Sequence, residues 1–142
     1  MSNPAPNAPP PSTPDALLRL WMLSAAAMAG LYGWLAWRMR DWPADLPGPQ
    51  PLRAVEITEF MALFVIVPAA VVVWLRWRAT RDRALAGFAL GYAALSFWSV
   101  AAWDSAFEGG AALAGAMIRL YAADAAIALA AIPVALRALR LR

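Results

Sequence analysis

Four long apolar stretches, separated by short polar segments, make up most of the sequence; they are residues 16–37, 56–77, 84–103 and 111–136. Each has about the 20 residues that an α-helix needs to cross a hydrocarbon core of roughly 30 Å. The pattern predicts an all-α membrane protein, with four transmembrane helices in one compact bundle that forms a single domain over residues 16–142.

The first fifteen residues differ from the rest, because residues 1–15 contain six prolines and no apolar run. Such a segment cannot bury a core, so we expect a disordered, proline-rich tail. At the end of this tail we expect Asp15 to be the N-cap of the first helix, since its carboxylate can accept hydrogen bonds from the free N–H groups of the first turn.

The composition agrees with a membrane domain. Hydrophobic residues make up 63% of the chain and charged residues only 15%, against about a quarter in soluble domains. All twelve basic residues are arginines, and they cluster at the predicted membrane edges rather than on one solvated face. We therefore expect contact with the lipid bilayer and no nucleic-acid partner.

The arginines also predict the orientation in the membrane. Seven of them lie in residues 76–83 and 137–142, whereas residues 38–55 and 104–110 hold three. Because short cytoplasmic segments are enriched in arginine and lysine, both termini and residues 76–83 are predicted to be cytoplasmic. The hypothesis is a multi-pass protein of the cell (inner) membrane.

The sequence has no Cys and no His. It therefore offers no thiolate and no imidazole, which are the commonest ligands for transition metals and the commonest side chains for proton transfer at neutral pH. We assign no catalytic residue and no metal site, and we predict no cofactor from this chain. A pigment or redox cofactor would have to be ligated without His or Cys.

Ionisable residues within the second and fourth stretches are candidates for a ligand site or an ion pair. Glu56 and Glu59 share one face at the start of the second stretch, where the helix dipole alone can also explain them. Arg119 lies inside the fourth stretch, at a depth where a charge costs on the order of 2.5–3.5 kcal/mol. We expect Glu59 and Arg119 to form an ion pair.

A second charge, Asp124, lies deeper in the fourth stretch. Ser24 of the first stretch matches its depth, and Tyr92 of the third lies within reach, so we expect one of them to hydrogen-bond Asp124. Two interpretations of this polar set stay open. It is either a binding or proton-coupled site, as intramembrane charges often are, or a structural clasp between helices or towards a partner subunit.

Small residues indicate where helices could approach closely. Ala25, Ala29 and Gly33 fall four residues apart on one face of the first stretch, and Gly87 and Gly91 share the same spacing in the third. Helices in lipid associate through such faces, because small side chains let the two backbones come close. We predict that both faces pack against other helices.

Three functional hypotheses follow. The first is a non-catalytic accessory or scaffold subunit that packs against a larger membrane complex or against itself, because the chain carries little chemistry of its own. The alternative is a small oligomeric transporter or ligand-binding protein that uses Glu59, Arg119 and Asp124. The third is a His-free membrane enzyme that acts on an apolar substrate. We favour a protein that is not an enzyme.

The predicted topology places Ser105 outside the cell and Thr80 inside. Because the chain has no native Cys, Ser105→Cys and Thr80→Cys each introduce a single thiol. In intact cells a membrane-impermeant maleimide should label Ser105→Cys and should label Thr80→Cys only after the membrane is broken. The reverse pattern would show that the orientation is opposite.

Overall fold

Four long helices form the chain in the computed structural model, which describes residue 10 and residues 12–141. They are α1 (Thr13–Arg38), α2 (Arg53–Thr80), α3 (Arg83–Ala106) and α4 (Ala114–Arg140). Each is long and apolar enough to cross a membrane. The predicted fold class, an all-α protein with four membrane-spanning helices, is confirmed.

The start of α1 differs from the expectation. The helix begins at Thr13, because Pro14 is compatible with a first helical turn, whose N–H groups have no partner within the helix. Ser12 is therefore the N-cap, and the prediction that Asp15 caps the helix is wrong. Most of the expected disordered tail, residues 1–9 and 11, lies outside the described residues.

The helix α4 is the centre of the bundle, and it packs against the other three helices. Its contact face is rich in small residues, and Ala131, Ala135 and Ala138 are buried in the core. Small side chains permit close approach of neighbouring helices in lipid. By contrast, α2 and α3 pack against each other only weakly, although they follow one another in the chain.

One end of the bundle, which we call the Leu46 end, is closed by the connection between α1 and α2. The N–H of Ala114 donates to the carbonyl of Leu46 (2.9 Å), and the N–H of Gly115 donates to the carbonyl of Ala44 (3.1 Å). The first turn of α4 would otherwise present free N–H groups. The connection therefore caps α4.

At the opposite end, the Arg76 end, one arginine ties three helices together. Arg76 of α2 donates to the carboxylate of Asp15 in α1, at 2.5 Å, and to the carbonyl of Ala138 in α4. Both side chains of this ion pair are largely buried. Asp15, expected to be a helix cap, thus belongs to a link between helices.

A second ion pair at the Arg76 end joins α3 to α4. Asp82 is the N-cap of α3 and accepts from the N–H of Leu85 (2.7 Å). The same carboxylate accepts from Arg137 of α4, at 2.5 Å and 3.1 Å. The hydrogen bonds from Arg137, and then the one from Leu85, lower the pKa of the Asp82 carboxyl below its usual value.

This shift predicts how the ion pair responds to pH. In the unfolded chain the pKa of an Asp carboxyl is about 4. When folding lowers that pKa, the ionised carboxylate stabilises the fold at any pH above the unfolded value. This stabilisation is lost as the pH falls through the lowered pKa of the folded state. Arg137→Gln should therefore lower the melting temperature of the detergent-solubilised protein at pH 7. The difference from the native protein should shrink below about pH 4.

The matched control is Arg140→Gln, in the same last turn of α4, where the side chain is exposed. It should change the melting temperature little at either pH. A difference between Arg137→Gln and the native protein that is equally large at pH 7 and pH 3 would contradict the assignment to the Asp82 ion pair.

Candidate ligand-binding cleft

A cleft with a volume of about 760 Å³ lies between α2 and α3, and α1 and α4 form its back wall. Most of its lining is apolar; the alanines that α2 and α3 contribute are Ala62, Ala70, Ala89 and Ala93. The volume falls within the range of about 300–1,000 Å³ that is usual for small-molecule sites. The weak packing of α2 against α3 leaves this space.

The cleft is long. Along α2 its lining residues extend from Val55 to Val73, which corresponds to about 27 Å at a rise of 1.5 Å per residue. Near the Arg76 end, Trp21 of α1 and Tyr92 of α3 meet edge to face with ring centroids 5.5 Å apart. This pair bridges α1 and α3, and both rings line the cleft.

The other half of the cleft, towards the Leu46 end, contains its first carboxylate. Tyr32 of α1 donates a hydrogen bond to Oε1 of Glu59 in α2, at 2.7 Å. The Tyr32 ring also stacks on Tyr121 of α4, with centroids 6.2 Å apart. Glu59 is thus joined to the back wall of the cleft through an aromatic side chain.

The second carboxylate is Asp124 of α4, which is buried. It accepts hydrogen bonds from the hydroxyl of Ser99 and from Nε1 of Trp103, the latter at 2.7 Å, and both donors belong to α3. The Trp103 ring contacts Tyr121 at 4.9 Å between centroids. The rings of Tyr32, Tyr121 and Trp103 therefore form a continuous row with one carboxylate at each end, which we call the aromatic row.

The predicted ion pair between Glu59 and Arg119 is not among the ion pairs of the described residues. The sequence-based start of the fourth span was three residues too early, since α4 begins at Ala114. Arg119 therefore lies only about 7.5 Å inside the helix. Its side chain is exposed and can reach the head-group region, so it needs no acidic partner.

The predicted partners of Asp124 are also wrong. Ser24 and Tyr92 line the same cleft, but the hydrogen-bond donors are Ser99 and Trp103. These two residues are four apart and share one face of α3, next to α4. That spacing was visible in the sequence, but the pairing of α3 with α4 was not.

The other residues singled out in the sequence, one acid and several small residues, lie in three kinds of environment: the cleft, the core and the outer surface of the bundle. Glu56 lines the mouth of the cleft and is exposed. Ala25 is buried in the core and Ala29 is half-buried. A Cβ added at Gly87 or Gly91 would meet nothing within 4 Å.

Gly33 is open in the same way. The contact faces predicted at these glycines are therefore not formed with helices of this chain. A contact of Gly87 and Gly91 with another subunit stays a prediction.

Comparison of the chain with family models, with curated proteins and with solved structures gives no match. Within residue 10 and residues 12–141, no group of three or more acidic, His or Cys side chains could hold a metal ion. The chemistry of the cleft is thus that of three carboxylates, five aromatic side chains and an apolar wall.

The hydrogen bond from Trp103 to Asp124 can be tested while the aromatic ring is kept. Trp103→Phe keeps an aromatic ring, although a smaller one than indole, and removes the N–H donor, which leaves one oxygen of a buried carboxylate without its partner. We expect a loss of about 1 kcal/mol in unfolding free energy, since hydrogen bonds between membrane helices contribute roughly 0.6–1.7 kcal/mol. Denaturant unfolding of the protein in detergent micelles measures it.

Trp98→Phe on the same helix is the control, because Trp98 is 52% exposed and lies outside the cleft. It should change the unfolding free energy little. Equal losses for Trp103→Phe and Trp98→Phe would mean that the hydrogen bond to Asp124 contributes nothing measurable.

Proposed function

We propose that this small multi-pass membrane protein binds an amphiphilic, lipid-like molecule in the cleft between α2 and α3. The observation that carries the proposal is the shape and lining of the cleft. It is long and apolar over most of its length, and its polar groups are concentrated in the half towards the Leu46 end. Such a lining matches a molecule with one polar head and a long apolar tail.

The depth of the polar groups supports this. Glu59 lies about 9 Å from the first residue of α2, and Asp124 lies about 15 Å from the first residue of α4. The head group would therefore lie in one half of the membrane, and the tail would extend towards the middle and beyond. In the predicted orientation, with both termini cytoplasmic, this half faces outward.

The entry route is the gap between α2 and α3. Ala70 of α2 and Ala93 of α3 line the cleft and are themselves exposed. In a membrane such positions face lipid rather than water. The ligand would thus enter sideways from the bilayer, and its tail would never have to cross an aqueous phase.

An accessory-subunit role is the second candidate. The observation in its favour is the open face at Gly87 and Gly91, where small residues at helix-contact spacing face away from this chain. Purification in mild detergent tests it, because a stoichiometric membrane partner that is lost on Gly91→Leu would support the role. An enzyme role is the weakest of the three, since the serines of the cleft have no His or Lys to activate them.

The ligand-binding proposal predicts that filling the cleft blocks binding. Ala93→Phe places a ring in the cleft, whereas Ala94→Phe places the same ring on a neighbouring exposed position that does not line it. The probe is a hexadecyl chain that carries a diazirine and a neutral hydroxyl head. Ala93→Phe should reduce photolabelling of α2 and α3 about tenfold, as an overpacked site loses on the order of 1–3 kcal/mol.

Ala94→Phe should label like the native protein, and peptide mass spectrometry should locate the label at the cleft. Labelling that is unchanged by Ala93→Phe, or that is spread evenly over the lipid-facing surface, would contradict the proposal.

A further inference from the structure

The polar half of the cleft favours one kind of head group among amphiphiles, and the groups that line it indicate which. Building on the function proposed above, we propose that the site selects amphiphiles with a cationic head group, an ammonium on a long apolar tail, held between Glu59 and Asp124 along the aromatic row. Three independent features of the cleft support this choice.

The first feature is the charge of the lining. Glu56, Glu59 and Asp124 line the cleft, and none of the arginines among the described residues does. The three ion pairs of the described residues lie elsewhere; they are Arg40–Asp41, Arg76–Asp15 and Arg137–Asp82. Of these three carboxylates Asp124 is buried and the two glutamates are exposed. The charged form of a carboxylate withdrawn from water is favoured by a cation close by. In this cleft that cation is left for the ligand to supply.

The second feature is the balance of hydrogen-bond donors and acceptors. Tyr32 donates to Glu59, while Ser99 and Trp103 donate to Asp124. An ionised carboxylate has about four acceptor positions and no donor, so both groups keep unused acceptor capacity after these bonds. The site can therefore accept further hydrogen bonds from a ligand. An ammonium supplies N–H donors and a positive charge together.

The third feature is the aromatic row. The faces of Tyr and Trp rings attract cations, and such contacts gain strength where water is excluded. Among the described residues four arginines stack on tryptophans, but those rings are Trp34, Trp37, Trp74 and Trp77. The rings of Tyr32, Tyr121 and Trp103 are not among them. Tyr32 and Tyr121 stack on each other and Trp103 stacks on Phe107, so the ring surface left for an ammonium group is the part that these contacts do not cover.

The apolar remainder of the cleft determines the rest of the ligand. About 27 Å of lining along α2 suits an extended chain of the length of a membrane lipid tail. A small hydrophilic cation would make no contact with most of this apolar wall. The favoured ligand is thus a long-chain amine or quaternary ammonium amphiphile.

The test is a competition against the diazirine probe, with three competitors that share one tail and differ in the head group. They are hexadecylamine, hexadecan-1-ol and hexadecanoic acid, each added to the intact protein in neutral lipid nanodiscs. Hexadecylamine should compete at a concentration about tenfold lower than the alcohol, because hydrogen bonds between an ammonium and a carboxylate are stronger than those that a neutral hydroxyl makes. The acid should be the weakest competitor.

Variants then locate the preference. Glu59→Gln and Asp124→Asn remove one charge each. The new amide oxygen can accept from Tyr32 in the first variant and from Trp103 in the second, where the amide N–H can donate to the Ser99 hydroxyl in place of the bond it donated. In each variant, the competing concentration of the alcohol divided by that of the amine should fall severalfold. This ratio does not depend on how much of the protein is folded. Asp104→Asn, on an exposed carboxylate of α3 outside the cleft, should leave the ratio unchanged.

The outcomes separate the two proposals. If Ala93→Phe blocks labelling but the three competitors are equal, or the alcohol or acid is preferred, the cleft binds amphiphiles and the cationic preference is wrong. A preference for the amine that survives both carboxylate variants also overturns it. If the probe never labels the cleft because a helix of a partner or a second copy fills it, both proposals are overturned.

Discussion

The hydrogen bonds that Asp124 accepts from Ser99 and Trp103 decide how this bundle is arranged. A carboxylate at that depth must be satisfied by protein groups, because the hydrocarbon core has no water to offer. Here the donors come from α3, so α3 is held to α4. The Asp82–Arg137 pair reinforces the same pairing at the Arg76 end.

The helix α2 is held by a separate set of polar contacts. Tyr32 of α1 donates to Glu59 near the Leu46 end, and Arg76 binds Asp15 and the Ala138 carbonyl at the other end. Among the described residues, no hydrogen bond between two side chains joins α2 to α3. Polar side chains hold α2 to α1 and, at the Arg76 end, to α4, and they hold α3 to α4. The cleft lies between α2 and α3, the two helices that are not joined in this way.

The cleft thus follows from the polar contacts rather than from a lack of apolar side chains. In water, apolar walls on α2 and α3 would collapse together, but lipid removes most of that driving force. The exposed apolar residues that border the gap are stable against lipid tails. A long amphiphile could occupy the gap with its tail among these residues and its head at the carboxylates, and neither helix would have to give up a hydrogen bond.

Much of the fold could be predicted from the sequence. The number of helices follows from four apolar stretches of spanning length, because composition alone determines whether a segment can lie in hydrocarbon. The helix ends were less accurate, since Pro14 is compatible with a first turn and residues 111–113 are held by the connection at the Leu46 end. The three-residue error at α4 made Arg119 look deeply buried.

The site was predictable only in part. Asp124 and Glu59 were recognised because ionisable residues within a span require partners. Their partners depend on which helices are neighbours, and neither composition nor spacing contains that information. At Gly87 and Gly91 the small-residue spacing does not correspond to a contact among the described residues, since spacing shows that close approach is possible and not which helix provides it. The cleft, which is a space between helices, leaves no pattern in the sequence.

The separation of α2 and α3 is the feature on which this account depends most, and cross-linking measures it directly. Ala70 lines the cleft from α2 and Ala93 lines it from α3, each about 15 Å from the end of its helix at the 81–82 connection. The chain has no native Cys, so the double variant Ala70→Cys, Ala93→Cys places one thiol on each wall. A disulfide needs Cα atoms within about 7 Å.

In lipid nanodiscs we predict rapid cross-linking by a bismaleimide with a spacer of several bonds and little disulfide under mild oxidation. Rapid, complete disulfide formation would show that α2 and α3 are in direct contact and would contradict the account.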